Sequence, residues 1–177
     1  IGRCDSVVVE TDIHFPTDIN LLFDAIRKTI QDIASLCKKH GITDWRQSNY
    51  NIREFKKLFE KIQRLKHSTS KDEKKRKAKE EEIHQAYAAY LAQAENHIER
   101  ALKTLDKIQT LEQLQTVATN IVSIKDYIAH AKRQIDQTHR RVLGGEKIPH
   151  EEKVFSVFQP HTEWISKGKA GVPVEFG

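Results

Sequence analysis

The sequence holds no methionine, two cysteines, four prolines and seven glycines in 177 residues, with aromatic residues at only 7%. Scarce Gly and Pro argue against a sandwich or barrel, whose many strands need frequent turns. Cys4 and Cys37 cannot make a disulfide scaffold, and two cysteines suit a reducing, cytosolic setting. No run approaches the roughly 18 apolar residues of a membrane-spanning helix. The N-terminus lacks the basic region and apolar run of a signal peptide. No glycine-rich phosphate loop is present, and neither Ser6 nor Cys4 has an evident paired base, so nucleophilic catalysis has no support. Nine histidines occur, none paired at the i, i+4 spacing of a helical zinc site. Without Met, with Ile1 first and the strand-like Val174-Glu175-Phe176-Gly177 last, the expectation is a fragment cut at both ends.

What the chain does have is charge and helical periodicity. Charged residues make up 31%, above a globular average of about 25%. The expected order is strand, about 130 helical residues, then strands. Val7-Val8-Val9 reads as a strand, since β-branched side chains suit a pleated surface. A helix capped by Thr17 or Asp18 carries one apolar stripe (Ile19, Leu22, Phe23, Ile26, Ile30, Ile33, Leu36, Cys37) and stops at His40-Gly41. Asn51 with Glu54 has capping-box spacing and would open a second helix. Ser70 with Glu73 would open a third, running to about Gln109 with a stripe from Ile83 to Ile108. Thr110 with Gln113 would open a fourth, ended by Gly144-Gly145. A connection this short implies an antiparallel hairpin of helices three and four, stripes face to face. Val154 to Phe158 reads as a strand, and Val172 to Phe176 begins another.

Two patterns bear on chemistry. Asp5 lies at the start of the first strand, where a carboxylate can take Mg²⁺, a hard cation. Glu10 and Asp12 fall roughly 16–23 Å further along an extended strand and cannot share its ion. The second pattern is basic. Residues 51–79 hold 12 Lys and Arg against 4 Asp and Glu, a local excess of 8 beside 5 for the whole chain. Arg53, Lys56, Lys57, Lys61, Arg64 and Lys66 lie opposite the stripe of helix two. Such a face neutralises phosphates without reading sequence; otherwise it is a solvated helix surface.

The segment Arg3-Cys4-Asp5-Ser6-Val7-Val8-Val9-Glu10-Thr11-Asp12-Ile13-His14-Phe15-Pro16-Thr17-Asp18 resembles the start of the catalytic domain of bacterial DDE-type insertion-sequence transposases. Position 7 is Val where that pattern usually has Thr. Residues 145–158 (Gly145-Glu146-Lys147-Ile148-Pro149-His150 onward) and 160–169 (Pro160-His161-Thr162-Glu163-Trp164-Ile165-Ser166-Lys167-Gly168-Lys169) also resemble that family. The resemblance implies a mostly α chain, long antiparallel helices inserted into an incomplete ribonuclease H-like α/β framework. Residues 1–16 would be the first core strand, 17–147 the helical insertion and 148–177 the following, truncated strands. Asp5 would be the first catalytic and metal-binding carboxylate of a DDE triad; the second Asp and the Glu match nothing in this chain. Mg²⁺ would serve strand cleavage and transfer in the complete enzyme and would not be stably held by this chain, which alone would be inactive. The partners implied are the transposon-end DNA, contacted by the six helix-two cations with Lys167 and Lys169, and a second copy of the chain. No membrane is involved, and the location would be the bacterial cytoplasm at the nucleoid. The alternative is a non-catalytic helical interaction or nucleic-acid-binding module, with the stripes of helices three and four as its oligomerisation surface.

Overall fold

Thr17 opens the first helix, its hydroxyl oxygen accepting from the Asn20 N–H at 3.3 Å. The computed structural model describes residues 16–67, 72–111, 118–159, 161–165 and 175–176. They form four helices: α1 (Asp18–Lys39), α2 (Ser48–His67), α3 (Glu73–Leu111) and α4 (Ala118–Thr138). A mostly helical chain is therefore correct. The residues described show no ribonuclease H-like framework; their one strand pair is Trp164–Ile165 (β1) antiparallel to Glu175–Phe176 (β2). The Val7–Val9 strand lies outside the described residues.

α1 ends where Gly41 requires it. Gly41 has φ 68°. Its N–H bonds the Lys38 carbonyl, and the Ile42 N–H bonds the Cys37 carbonyl at 2.9 Å. These are the two bonds of a Schellman stop.

The expected start of α2 shifts. α2 begins at Ser48, not Asn51, because a turn at 44–47 already aligns the chain and the Asn51 N–H is bonded to the Gln47 carbonyl at 3.0 Å. α3 is capped by Asp72, whose Oδ1 accepts from the Lys74 N–H at 3.0 Å; Ser70 lies outside the described residues. Thr110 sits inside α3 and donates back to the Asp106 carbonyl at 2.8 Å.

Packing departs from the expected hairpin. α3 and α4 are antiparallel, yet α4 lies chiefly on α1, and α1 also meets α2 and α3. So α1 is the central helix, buried at Leu21, Asp24 and Thr29 as well as along its stripe. The buried Thr29 hydroxyl donates to the Ala25 carbonyl at 2.8 Å, and Asp24 pairs with Arg27 at 3.2 Å, so neither polar group is stranded. Aromatic rings pin α2 to its neighbours: Phe55 stacks on Tyr90 of α3 at 4.6 Å and on Phe23 of α1 at 5.9 Å. The Tyr90 hydroxyl donates to the Ile19 carbonyl at 2.9 Å, joining α3 to the start of α1.

Past α4 the chain makes a π-type turn, His139–Leu143, and then Gly144-Gly145. Arg140 holds the return, bonding Glu146 and Glu152 as well as Asp136 of its own helix. Residues 154–158 are not a strand. The Ser156 hydroxyl accepts from the N–H groups of Phe158 and Gln159 at 3.2 and 3.0 Å, folding the segment into a local turn that breaks the β alternation.

Candidate nucleic-acid interface

The stripe of α2 (Phe55, Ile62, with Leu58, Phe59 and Leu65 half-buried) fixes which face is left to solvent. On that face Arg53, Lys56, Lys57, Lys61, Arg64 and Lys66 are all exposed. Their electrostatics differ. Lys57 pairs with Glu54 at 2.7 Å and Lys56 with Glu60 at 3.7 Å, so these two cations are partly neutralised in place. Arg53 lies over the Tyr50 ring at 5.5 Å, and Lys66 over the Tyr87 ring at 5.1 Å. Arg64 donates from Nε to the Glu60 carbonyl, at 3.4 Å, and Lys61 has no ion pair among the described residues.

The Lys66–Tyr87 contact sets the level at which α2 ends beside α3. Before Tyr87, residues 72–78 at the start of α3 are exposed. That exposed start carries Lys74, Lys75, Arg76 and Lys77, with Glu80, Glu81 and Glu82 following. Only Lys77 of these four has an ion pair among the described residues, with Glu73 at 3.6 Å. The structure thus extends the six expected cations by four, along a helix of 39 residues, roughly 58 Å long. The run of lysines was visible in the sequence; that residues 72–78 stay exposed in the fold was not.

Asp5, Lys167 and Lys169 lie outside the described residues. Among those described, no group of three or more His, Cys, Asp or Glu side chains is placed to hold a metal ion. The Mg²⁺ expectation rests on the resemblance at Asp5. Burial pushes the Cys37 thiol up to about 11, keeping it protonated and unreactive at neutral pH. Burial also pushes His97 down to about 4 and lowers His130, so both imidazoles are neutral at pH 7. Among the described residues no helix is long and apolar enough to cross a membrane.

No family model, no curated protein and no solved structure matches the chain.

Proposed function

We propose that this chain is part of the catalytic domain of a DDE-type insertion-sequence transposase and that its helical block grips transposon-end DNA. The observation that supports DNA contact is the exposed cations on α2 and on the first turns of α3. Two helices, pinned by the Phe55–Tyr90 stack, hold these charges on a rigid frame, as phosphate tracking needs. Asp5 is proposed as the first catalytic carboxylate, on the resemblance of residues 3–18. The test is duplex binding across a salt series. Replacing Lys61, Arg64, Lys74, Lys75 and Arg76 by Gln should weaken binding and flatten the salt dependence by roughly one unit of slope per lost phosphate contact. An unchanged slope would return these residues to the role of a solvated helix face. In the complete enzyme, Asp5→Ala should abolish Mg²⁺-dependent cleavage and spare DNA binding; retained cleavage would remove Asp5 from the mechanism.

The alternative reading, self-association through the α3 and α4 stripes, has less to stand on. Tyr87, Tyr90, Ala94, Ile98 and Leu105 of α3 and Ile121, Ile124 and Ile128 of α4 are buried inside the chain.

A further inference from the structure

The start of α1, the residues just past α4 and the returning segment enclose a cavity of about 340 Å³. Three of its lining residues are aromatic rings in a chain. His150 and Phe155 have centroids 5.6 Å apart at 47°, and Phe155 and Trp164 have centroids 6.1 Å apart at 55°. Both pairs are tilted, and Trp164 is 42% exposed. Two cations share the lining, Arg141 and Lys153. Asp18, also in the lining, is matched by Arg141 at 2.6 Å. Lys153 is exposed and has no ion pair among the described residues. The cavity therefore offers aromatic surface beside a lysine that has no ion pair among the described residues.

We propose that this cavity takes one unstacked nucleobase of a DNA strand, held against Phe155 and Trp164, with Lys153 on the adjoining phosphate. The proposal rests on the reading of the chain as a DNA-binding protein and adds a second, single-stranded element to it. Stacking on aromatic rings beside cations is how single strands are held without sequence readout. The volume sits at the small end of ligand pockets, which run from roughly 300 to 1,000 Å³, and suits a base with its sugar rather than a duplex. A neutral ring ligand would leave Lys153 unused.

The two tryptophans make the test direct, because Trp45 is 1% exposed and Trp164 is the accessible one. The 177-residue chain would be titrated with an oligothymidylate of about ten nucleotides, a length within the usual single-strand site sizes. Tryptophan emission would be followed, with a duplex titrated in parallel by fluorescence anisotropy. The oligothymidylate should quench part of the emission. Trp164→Leu should abolish the quench. Trp164→Leu and Phe155→Leu should each weaken single-strand binding about 5- to 150-fold and leave duplex affinity unchanged. An oligomer with abasic positions should bind as weakly to the unaltered chain. Lys153→Gln, a surface change that spares the rings, should lower the salt dependence of single-strand binding. If the abasic oligomer binds as well as the intact one, or if the Leu variants bind like the unaltered chain, the rings are a small satellite core and the proposal falls. If duplex binding persists in that case, only this site is lost; if neither form of DNA binds, the proposed function fails with it.

Discussion

The indole N–H of Trp45 donates to the hydroxyl of Thr104, 3.0 Å away across 59 residues of sequence. The Thr104 hydroxyl donates in turn to the Arg100 carbonyl at 3.0 Å, and the Arg100 guanidinium covers the indole ring at 4.1 Å. Arg100 also donates to the Asp44 carbonyl, and Lys107 pairs with the Asp44 carboxylate at 2.8 Å. This cluster ties the loop between α1 and α2 to the far half of α3. Thr104→Val should leave the buried indole N–H without a partner and cost about 1–3 kcal/mol, with Thr104→Ser restoring most of it. Urea denaturation followed by Trp45 emission would measure both; equal midpoints for the Val variant and the unaltered chain would mean the bond contributes nothing.

His97 makes stability depend on pH. Packed edge-on against Phe55 at 5.7 Å, it is held neutral down to about pH 4, against an ordinary value of 6.5. Between those values the unfolded chain binds a proton that the folded chain refuses. The contribution is therefore fully present above about pH 6.5 and is lost as pH falls toward 4, a change on the order of 2–3 kcal/mol. Denaturation at pH 7 and pH 5 should show the loss in the unaltered chain and a smaller one in His97→Phe. Parallel pH curves for the two would reject His97 as the source.

Gly41→Ala isolates a backbone effect. A Cβ there meets nothing within 4 Å, so the only penalty is the left-handed conformation, φ 68°. The expected cost is about 1–2 kcal/mol. A variant as stable as the parent would mean that the turn relaxes without cost.

The α2 cations should not be equal in DNA binding. Lys56 and Lys57 already have carboxylate partners on their own helix, whereas Lys61 has none among the described residues. A phosphate gained by Lys57 must displace Glu54. Lys61→Gln should therefore lower the salt slope by roughly one, and Lys57→Gln by less. Duplex titrations in a salt series compare the two; a larger drop for Lys57→Gln would place the contact nearer the start of α2.

Much of this fold was legible in the sequence because leucines and isoleucines at spacings of three and four define helices without knowledge of their partners. Partner choice was not legible. The stripes of α3 and α4 are each compatible with the other, and only the breadth of burial on α1, reaching Leu21 and Thr29, gives α1 the centre. Cap positions are hard to read for a local reason: Ser, Thr, Asn and Asp crowd each helix start, and Asp72 sits directly before the first turn of α3. Residues 154–158 alternate like a strand, yet one hydroxyl, on Ser156, diverts two of the N–H groups that a strand would use. The α2 cations were legible as the face opposite the stripe. The cavity by Trp164 was not, since His150, Phe155 and Trp164 follow no repeat and meet only when the segment after α4 turns back.

The central place of α1 has a kinetic consequence. Its largest partner, α4, is the last α-helix among the described residues, about a hundred residues later. Contacts between such distant segments close slowly, so folding should lag behind that of an up-and-down bundle of equal length. During synthesis, which delivers the N-terminal part first, the apolar face of α1 that α4 will cover waits uncovered while α2 and α3 emerge. That interval is when a chaperone would have most to hold, and when release of a chain ending before α4 would leave a sticky, half-made core.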